Sequence, residues 1–248
     1  MKTLDLACGF AKERGAIGVE KVPLKSVDVV ADLTRYPYPF GDNIFDRIYL
    51  NDIIEHLPDT IKTMEEVYRM VKPNGRVLIR VVNWNSHYNA MDPTHVKTFH
   101  ENSFNFFGTY KDRSYYSRAR FDVVKVEYGY NELAKRIFKS KRLMKFLSHF
   151  LNNVLEDLHF ELKALKREKA PESAKDSSLF EMIRCPACLG ELVLKRQCWL
   201  TCARCARKYP VYDGLPVLTR EEGEKWRRKT VAHLPKLKSI KRIEPLDA

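Results

Sequence analysis

Short apolar runs alternate with a helical pattern along the first third of the chain. Runs typical of buried strands lie at residues 3–6, 16–19, 26–31, 45–50 and 76–82. Between the last two runs, apolar residues recur at the spacing of one helix face, at Ile61, Met64, Val67, Tyr68 and Val71. Strands that alternate with helices predict an α/β fold with a doubly wound parallel sheet, which binds ligands at the carboxyl ends of its strands.

The pattern changes after residue 82. Residues 83–107 form a long polar and aromatic segment, which we interpret as a lid on the substrate side. Residues 121–128 alternate as a strand, and residues 158–165 are its predicted antiparallel partner. Residues 133–157 between them predict one amphipathic helix with a basic first half. A basic helix of this kind can lie on an acidic membrane, cover an RNA backbone, or simply expose its solvated side.

Small residues follow the first strand, and an acid closes the second. Ala7, Cys8 and Gly9 form a turn in which a ligand can approach bare backbone amides. Glu20, at the end of the next strand, can accept hydrogen bonds from both hydroxyls of a ribose. The two features together predict a nucleoside site.

Two stretches carry a family resemblance. The string DLACGFA at residues 5–11 resembles motif I of the class I S-adenosylmethionine-dependent methyltransferases, and FDRIYLNDIIEHL at residues 45–57 resembles their fourth motif. The resemblance implies a Rossmann-like methyltransferase domain at residues 1–168. It also implies a set of cofactor-binding residues: Asp5, Ala7, Cys8 and Gly9 in the first turn, Glu20 at the ribose, Asp32 and Leu33 at the adenine, and Asn51 and Asp52 at the methionine end.

Methyl transfer from a sulfonium depends mainly on positioning, and it needs a base only when the nucleophile must lose a proton. The candidates for such a catalytic group are Asp52, His56, Asp92 and His95. For His95, as for His100, capping or packing of the loop is the alternative role.

Four of the six cysteines form two C-x-x-C pairs, Cys185 with Cys188 and Cys202 with Cys205, separated by 13 residues. Two such pairs predict a closed tetrahedral zinc site with no position left for water, so the metal is structural. Cys198 lies outside the pairs and is expected to be a packed residue rather than a ligand.

The surroundings of these cysteines carry a second resemblance. Residues 179–219, which end in YPVYDGLPVL, resemble the zinc-ribbon activator subunit that partners tRNA, rRNA and release-factor methyltransferases. The resemblance implies that the ribbon docks on the methyltransferase domain within one chain, which would make the enzyme self-activated. We interpret residues 169–178 as a linker and residues 220–248 as a basic, solvated tail.

The net charge of +12 is uneven: residues 1–108 carry −1, residues 109–180 carry +6 and residues 181–248 carry +7. The later segments therefore favour an anionic partner such as RNA. The chain has no apolar run long enough for a transmembrane segment and no signal-peptide pattern, and its paired cysteines suit a reducing compartment. We predict a cytoplasmic protein.

These features predict an S-adenosylmethionine-dependent methyltransferase acting on RNA or a translation-related substrate. The motif N-D-I-I at residues 51–54 differs from the N-P-P-Y type that methylates nitrogens in nucleobases and glutamine. A sugar, a glycan or a small molecule is the alternative substrate, because D-P-T-H at residues 92–95 resembles a segment of glycan-associated methyltransferases. A non-catalytic binding protein of the same fold is the third possibility.

Overall fold

The computed structural model describes residues 1–108, 115–166, 179–196, 198–235 and 237. The strands in this part of the chain are β1 (Thr3–Leu6), β2 (Ile17–Glu20), β3 (Val29–Val30), β4 (Phe45–Asn51), β5 (Val71–Val82), β6 (Phe121–Tyr130), β7 (Leu155–Ala164), β8 (Leu192–Lys195), β9 (Trp199–Cys202), β10 (Lys208–Tyr212) and β11 (Leu215–Pro216). The helices are α1 (Thr60–Met70), α2 (His87–Met91), α3 (Glu132–Ile137), α4 (Lys141–Leu147), α5 (Leu179–Met182) and α6 (Arg220–Lys225), with short 3₁₀ turns at Ile54–His56, Ser103–Phe107 and Val231–His233.

Seven strands form the large sheet, in the order β3-β2-β1-β4-β5-β7-β6. The first five run parallel, whereas β7 is antiparallel to both β5 and β6. The strand order reverses between β1 and β4, and open α/β sheets bind ligands at such a point. The predicted Rossmann-like sheet and its antiparallel last pair are confirmed.

The two faces of this sheet differ in character. One face is apolar and buried, for example at Leu50, Ile79 and Leu162, and it belongs to the same buried core as helix α1. Most of the alternate positions on the same strands are polar, with Leu78 as an exception. They border an open cleft of about 440 Å³, lined among others by Tyr49, Arg80, Lys125, His159 and Glu161.

Helix α1 matches its predicted bounds to within one residue. Asp59 caps its start by accepting a hydrogen bond from the Lys62 amide at 3.0 Å. The predicted break at residues 72–75 is a strand irregularity instead. Asn74 has a φ of 61°, and the pairing of β4 with β5 shifts register between Phe45 and Arg47.

The single long helix predicted at residues 133–157 is wrong, because the structure has two short helices there. Ser140 adopts an extended conformation and caps α4 by accepting from the Leu143 amide at 3.3 Å, which starts a new helix rather than continuing α3. The apolar residues at the end of the segment, from Leu155 onward, belong to strand β7. Helical spacing alone could not show that the segment divides into two helices and the start of a strand.

The ribbon is a second, antiparallel sheet with the order β11-β10-β9-β8. It contacts the edge strand β3 of the large sheet, where the Leu218 amide donates to the Val30 carbonyl at 2.8 Å and Val217 bridges Val30 in parallel. A second bridge joins Phe40 to Ile183. One buried cluster includes residues of both sheets, so the ribbon docks within its own chain.

Residues 220–235 pack against the ribbon, contrary to the predicted solvated tail. The rings of Trp226 and Trp199 lie 5.2 Å apart, and Trp199 donates to the Pro235 carbonyl at 3.3 Å. Trp199 and Leu234 are both buried, because this segment supplies apolar side chains that cover the small ribbon core. The predicted linker at 169–178 lies outside the described residues. None of the helices in the described ranges has the length and apolar character needed to cross a bilayer.

Candidate functional site

The turn after β1 has the open backbone expected of a nucleoside site. Ala7 and Gly9 have φ angles of 59° and 50°, and a side chain placed at Gly9 would meet nothing within 4 Å. The Gly9 amide donates to Glu20 Oε2 at 3.4 Å, so the acid at the end of β2 lies directly beside this turn. The structure thus brings together the residues predicted for the ribose end.

Cys8, in the same turn, points into the protein rather than toward a ligand. Its side chain packs in a small buried cluster with Val30 of β3 and with Leu215 and Val217 of the ribbon segment. Burial raises the pKa of the Cys8 thiol to about 11, so the thiol stays neutral. The Cys8 amide donates to the Val19 carbonyl at 3.1 Å, so the amide, like the thiol, is engaged within the protein and the open position of this turn is at Gly9.

Asp5 holds a buried acceptor oxygen that the described residues leave without a hydrogen bond. Its side chain is buried, and Oδ2 accepts from the Glu13 amide at 2.8 Å. Oδ1 has no hydrogen-bond partner among the described residues. Burial raises the pKa of Asp5 to about 6. A ligand with a positively charged amino group would satisfy this oxygen, so the residues fit the methionine end of S-adenosylmethionine.

Asp32 and Leu33 follow β3, at the same edge of the sheet. Asp32 accepts from the amide and the hydroxyl of Thr34, at 2.9 and 2.7 Å. Burial alone would raise the pKa of Asp32, but these hydrogen bonds outweigh it and place the pKa below its ordinary value. Leu33 is buried, and its carbonyl accepts from the Tyr38 hydroxyl at 3.0 Å. An ionised Asp32 is available here as an acceptor.

Asn51 ends strand β4, next to the carboxyl end of β1, and Asp52 follows it. Asn51 donates to Glu13 Oε1 at 3.2 Å. Asp52 has a φ of 50° and forms a two-point ion pair with Arg80, in which Arg80 Nε donates to Oδ1 at 3.0 Å. The hydrogen bonds that Arg80 donates to the Asp52 carboxylate raise the pKa of Arg80. A base role for Asp52 would require this pair to open, and it stays a prediction.

The other three catalytic candidates form one cluster. The His56 and His95 rings lie 4.7 Å apart, and His95 Nε2 is 3.9 Å from Asp92 Oδ2. Thr94 joins the group, because its hydroxyl donates to Asp92 Oδ1 at 2.6 Å and lies 2.9 Å from His56 Nδ1. The chain brings these residues together from positions up to 39 apart by folding the segment after β5 back over the 3₁₀ turn at Ile54–His56. Their catalytic role stays a prediction.

Glu55 is a site residue that the sequence reasoning missed. Its side chain is buried: Oε1 accepts from the Val82 amide at 3.3 Å, and Oε2 has no partner within the described ranges. Burial raises its pKa. Its carbonyl accepts from the amides of Val96 and Lys97, which holds the folded-back segment in place. An acid inside the apolar string I-I-E-H-L was the available signal.

The four paired cysteines of the ribbon converge on one point. Their sulfurs all lie within 4.8 Å of one another, with Cys185 and Cys205 at 3.6 Å and Cys188 and Cys202 at 3.5 Å. Tetrahedral zinc with Zn–S bonds of about 2.3 Å places its sulfurs about 3.8 Å apart. The cluster therefore fits a structural zinc ion, and Cys198 is not part of it.

Two further residues shape this zinc centre. The Tyr209 hydroxyl lies 3.1 Å from Cys185 Sγ, where it can donate to a metal-bound thiolate. At Gly190 a side chain would come within 3.0 Å of Cys202 Sγ and 2.8 Å of Arg204 Cβ, so only glycine leaves room for both knuckles.

Comparison with known proteins gives separate matches near the two ends of the chain. A family model for a methyltransferase domain matches residues 4–79, and a model for Trm112p-like proteins matches residues 176–214. Phosphoethanolamine N-methyltransferase 2 of Caenorhabditis elegans is 48% identical over 42 residues, 17% of this chain and 10% of that protein. The chain thus spans only about a tenth of the length of this relative.

The C-terminal part matches a relative over most of its length. A UPF0434 protein of Methylobacillus flagellatus is 39% identical over 51 residues, which cover 20% of this chain and 85% of that protein. A methyltransferase structure from Archaeoglobus fulgidus gives a TM-score of 0.44 at 21% identity, over 65% of this chain and 85% of that one. The chain therefore belongs, through its C-terminal region, to the Trm112p-like family, and it joins that region to an N-terminal methyltransferase domain.

Proposed function

We propose that this chain is an S-adenosylmethionine-dependent methyltransferase. The contact between the Gly9 amide and the Glu20 carboxylate carries the proposal, because it sets a ribose acceptor beside an open backbone turn at the point where the strand order reverses. The matched methyltransferase domain supports it.

The chain's own residues would bind and orient the cofactor. Glu20, beside the Gly9 amide, would accept from the ribose hydroxyls, the unpartnered Asp5 Oδ1 would accept from the amino group of the methionine end, and Asp32 would lie at the adenine. Asn51, held by Glu13, lies at the methionine end with Asp52. The cofactor supplies a methyl group on a sulfonium. The protein contributes position, since an in-line displacement gains most from orientation.

We further propose that the ribbon activates the enzyme from within the chain. The units would be a methyltransferase domain at 1–168, a linker at 169–178, a ribbon at 179–219 and a basic segment at 220–248. The contacts of the ribbon with β3, and the packing of Cys8 against Leu215, support a role in holding the cofactor turn in shape. A cytoplasmic location suits the unpaired thiols of the zinc centre.

For the substrate, we propose RNA or another translation-related molecule. The basic surplus of the later segments and the activator-like ribbon support an anionic substrate of this kind. RNA binding should weaken steeply as the salt concentration rises, because bound cationic side chains release counterions from the phosphates.

A small molecule or a sugar is the second candidate. Trp84 and Tyr88, which belong to the same segment after β5 as His95, are about half exposed, which suits a compact acceptor. Relatives named phosphoethanolamine N-methyltransferase match part of the domain. A neutral sugar would bind with little dependence on salt.

Calorimetry with S-adenosylmethionine tests the activity. We expect binding by the folded, zinc-loaded chain. If the folded and zinc-loaded chain binds no cofactor, the methyltransferase proposal fails. The alternative, a non-catalytic binding protein of the same fold, would then be favoured. Mass spectrometry of RNA and small-molecule pools, incubated with and without the protein, then decides between the substrate classes.

A further inference from the structure

A metal site of a second kind lies outside the ribbon. His56, Asp92 and His95 each offer one ligand atom, and the three atoms lie within 4.8 Å of one another. We propose that these side chains bind a divalent first-row transition metal ion, such as Mn²⁺, Co²⁺ or Zn²⁺. Two histidines and one carboxylate are a common ligand set for such ions.

The hydrogen bonds leave the required lone pairs free. The Thr94 hydroxyl donates its only proton to Asp92 Oδ1, so it must accept a hydrogen bond from His56 Nδ1. His95 Nδ1 lies 3.3 Å from the Asn89 carbonyl, to which it can only donate. Both imidazoles therefore present an unprotonated Nε2 when neutral. Metal-binding histidines are held in this way by a hydrogen bond on their other nitrogen.

Hydrogen bonds also orient the Asp92 carboxylate. Asp92 Oδ1 accepts from both the amide and the hydroxyl of Thr94, which leaves Oδ2 facing His95 Nε2 at 3.9 Å. Ligand atoms on one metal ion at bond lengths of about 2.0–2.2 Å lie roughly 3–3.5 Å apart, so atoms that now lie up to 4.8 Å apart must move closer by up to roughly 1–2 Å on binding. Three protein ligands leave positions for water or a substrate oxygen. A role in holding the methyl acceptor rests on the proposed function.

Metal content tests the site without any activity measurement. The full chain is prepared with its ribbon loaded with zinc, titrated with Co²⁺, and followed by its visible spectrum and by elemental analysis. We expect one cobalt ion per chain without thiolate-to-metal charge-transfer bands, beside one zinc ion. The variants His95→Ala and His56→Ala should each weaken cobalt binding by on the order of 100-fold, and Thr94→Val by about tenfold.

His100→Ala is the matched control, because this histidine belongs to the same loop and lies outside the cluster. It should bind cobalt as the parent chain does. Absence of a second ion would overturn the proposal, and so would equal cobalt affinity in His95→Ala and His100→Ala. Unchanged zinc content and unchanged circular dichroism confirm that each variant is folded.

A separate surface carries a second inference. Residues 132–155, from the start of α3, contain six Lys and Arg residues and one acid. The acid, Glu132, pairs with Lys135, and Lys145 pairs with Glu101, so the surplus of positive charge comes from the other cationic side chains. Helices α3 and α4 bury Ala134 and Met144 in a small core, yet they and the following turn also expose large apolar side chains. These are Leu133, Ile137, Leu143, Phe146, Phe150 and Leu151, exposed by 44–72%.

The exposed patch continues onto the segment after β5. Asn85 donates to the Ser148 carbonyl at 2.9 Å, and the His87 amide donates to Asn153 Oδ1 at 2.5 Å. Trp84 and Tyr88 of this segment are themselves about half exposed. We propose that this surface binds the headgroup region of an anionic lipid membrane. Apolar and aromatic side chains insert between lipids while lysines and arginines contact the charged headgroups, whereas RNA has no use for the exposed leucines.

Vesicle sedimentation of the full chain tests this surface. We expect binding to vesicles of phosphatidylcholine with phosphatidylglycerol, weaker binding in high salt, and little binding to phosphatidylcholine alone. Replacing both Phe146 and Phe150 by Ser should reduce binding at least tenfold. Replacing Val193 and Leu194 by Ser removes exposed apolar side chains of the ribbon and should leave binding unchanged. The proposal fails if the phenylalanine variant binds normally, or if the chain binds RNA but neither kind of vesicle.

Discussion

The Leu218 amide donates to the Val30 carbonyl at 2.8 Å, and this bond extends the large sheet by a segment of the ribbon. Val30 ends β3, the edge strand, whose outer backbone groups would otherwise face water. Val217 and Leu215, just before Leu218, bury their side chains with Cys8 of the nucleoside turn. Residues of the ribbon therefore pack beside the turn of the proposed cofactor site.

Leu215→Ala should destabilise both parts of the chain. Leu215 is fully buried, and truncation of such a leucine costs about 2–4 kcal/mol in the free energy of unfolding. The loss should appear in urea denaturation as a lower midpoint, together with weaker S-adenosylmethionine binding because Cys8 loses a packing partner. Leu194→Ala, at an exposed position of β8, is the control and should change neither quantity measurably. If the Leu215→Ala variant is destabilised but binds the cofactor with normal affinity, packing of the ribbon does not support the cofactor site.

Loss of zinc should unfold more than the ribbon. A closed tetrahedral zinc centre contributes folding free energy outright, and the buried cluster that contains Cys185 and Cys202 also contains Leu4 of β1. Cys185→Ser, Cys202→Ser or a strong chelator should release zinc, lower the melting temperature of the whole chain and promote aggregation. Cys198→Ser should keep its zinc and its melting temperature. A large sheet that melts normally without zinc would contradict self-activation.

Local signals predicted the parts of the site that lie close together in sequence. The turn at Ala7–Gly9, the bounds of α1 and the two cysteine pairs follow from spacing, because each depends on a few neighbouring residues. The contact of His56 with His95 and the ion pair of Asp52 with Arg80 join residues 39 and 28 positions apart, and no local pattern encodes such pairs. The division of residues 133–157 was missed because one serine cap outweighed helical spacing.

Glu20→Gln should weaken S-adenosylmethionine binding by about 10- to 100-fold. The carboxylate accepts charge-assisted hydrogen bonds, which are worth about 1.5–3 kcal/mol each, and the amide has only one acceptor oxygen to replace them. Calorimetry measures the change. Glu221→Gln, on the exposed start of α6, should bind as the parent chain does. Equal affinities in the two variants would exclude Glu20 from the ribose contact.

Asp5 should make stability and cofactor binding respond to pH in opposite directions. Its pKa is about 6 in the folded chain, against 3.8 ordinarily, chiefly because the side chain is buried. The folded state therefore holds a proton that the unfolded state has lost between about pH 4 and pH 6. Across that range the stability falls as the pH rises, and above it the full cost remains, on the order of 2–3 kcal/mol.

Asp5→Asn should consequently stabilise the free protein at pH 7.5 and lose this advantage as the pH falls from about 6 to about 4. The Asn side chain can still accept from the Glu13 amide through its oxygen, so the local fold is kept. S-adenosylmethionine should bind the parent chain more tightly at pH 7.5 than at pH 5, because the cationic amino group needs an ionised partner. The variant should bind weakly at both values. Urea denaturation and calorimetry across pH 4–8 measure both effects, and a variant that is less stable at pH 7.5 yet binds normally would show that Asp5 serves the fold rather than the cofactor.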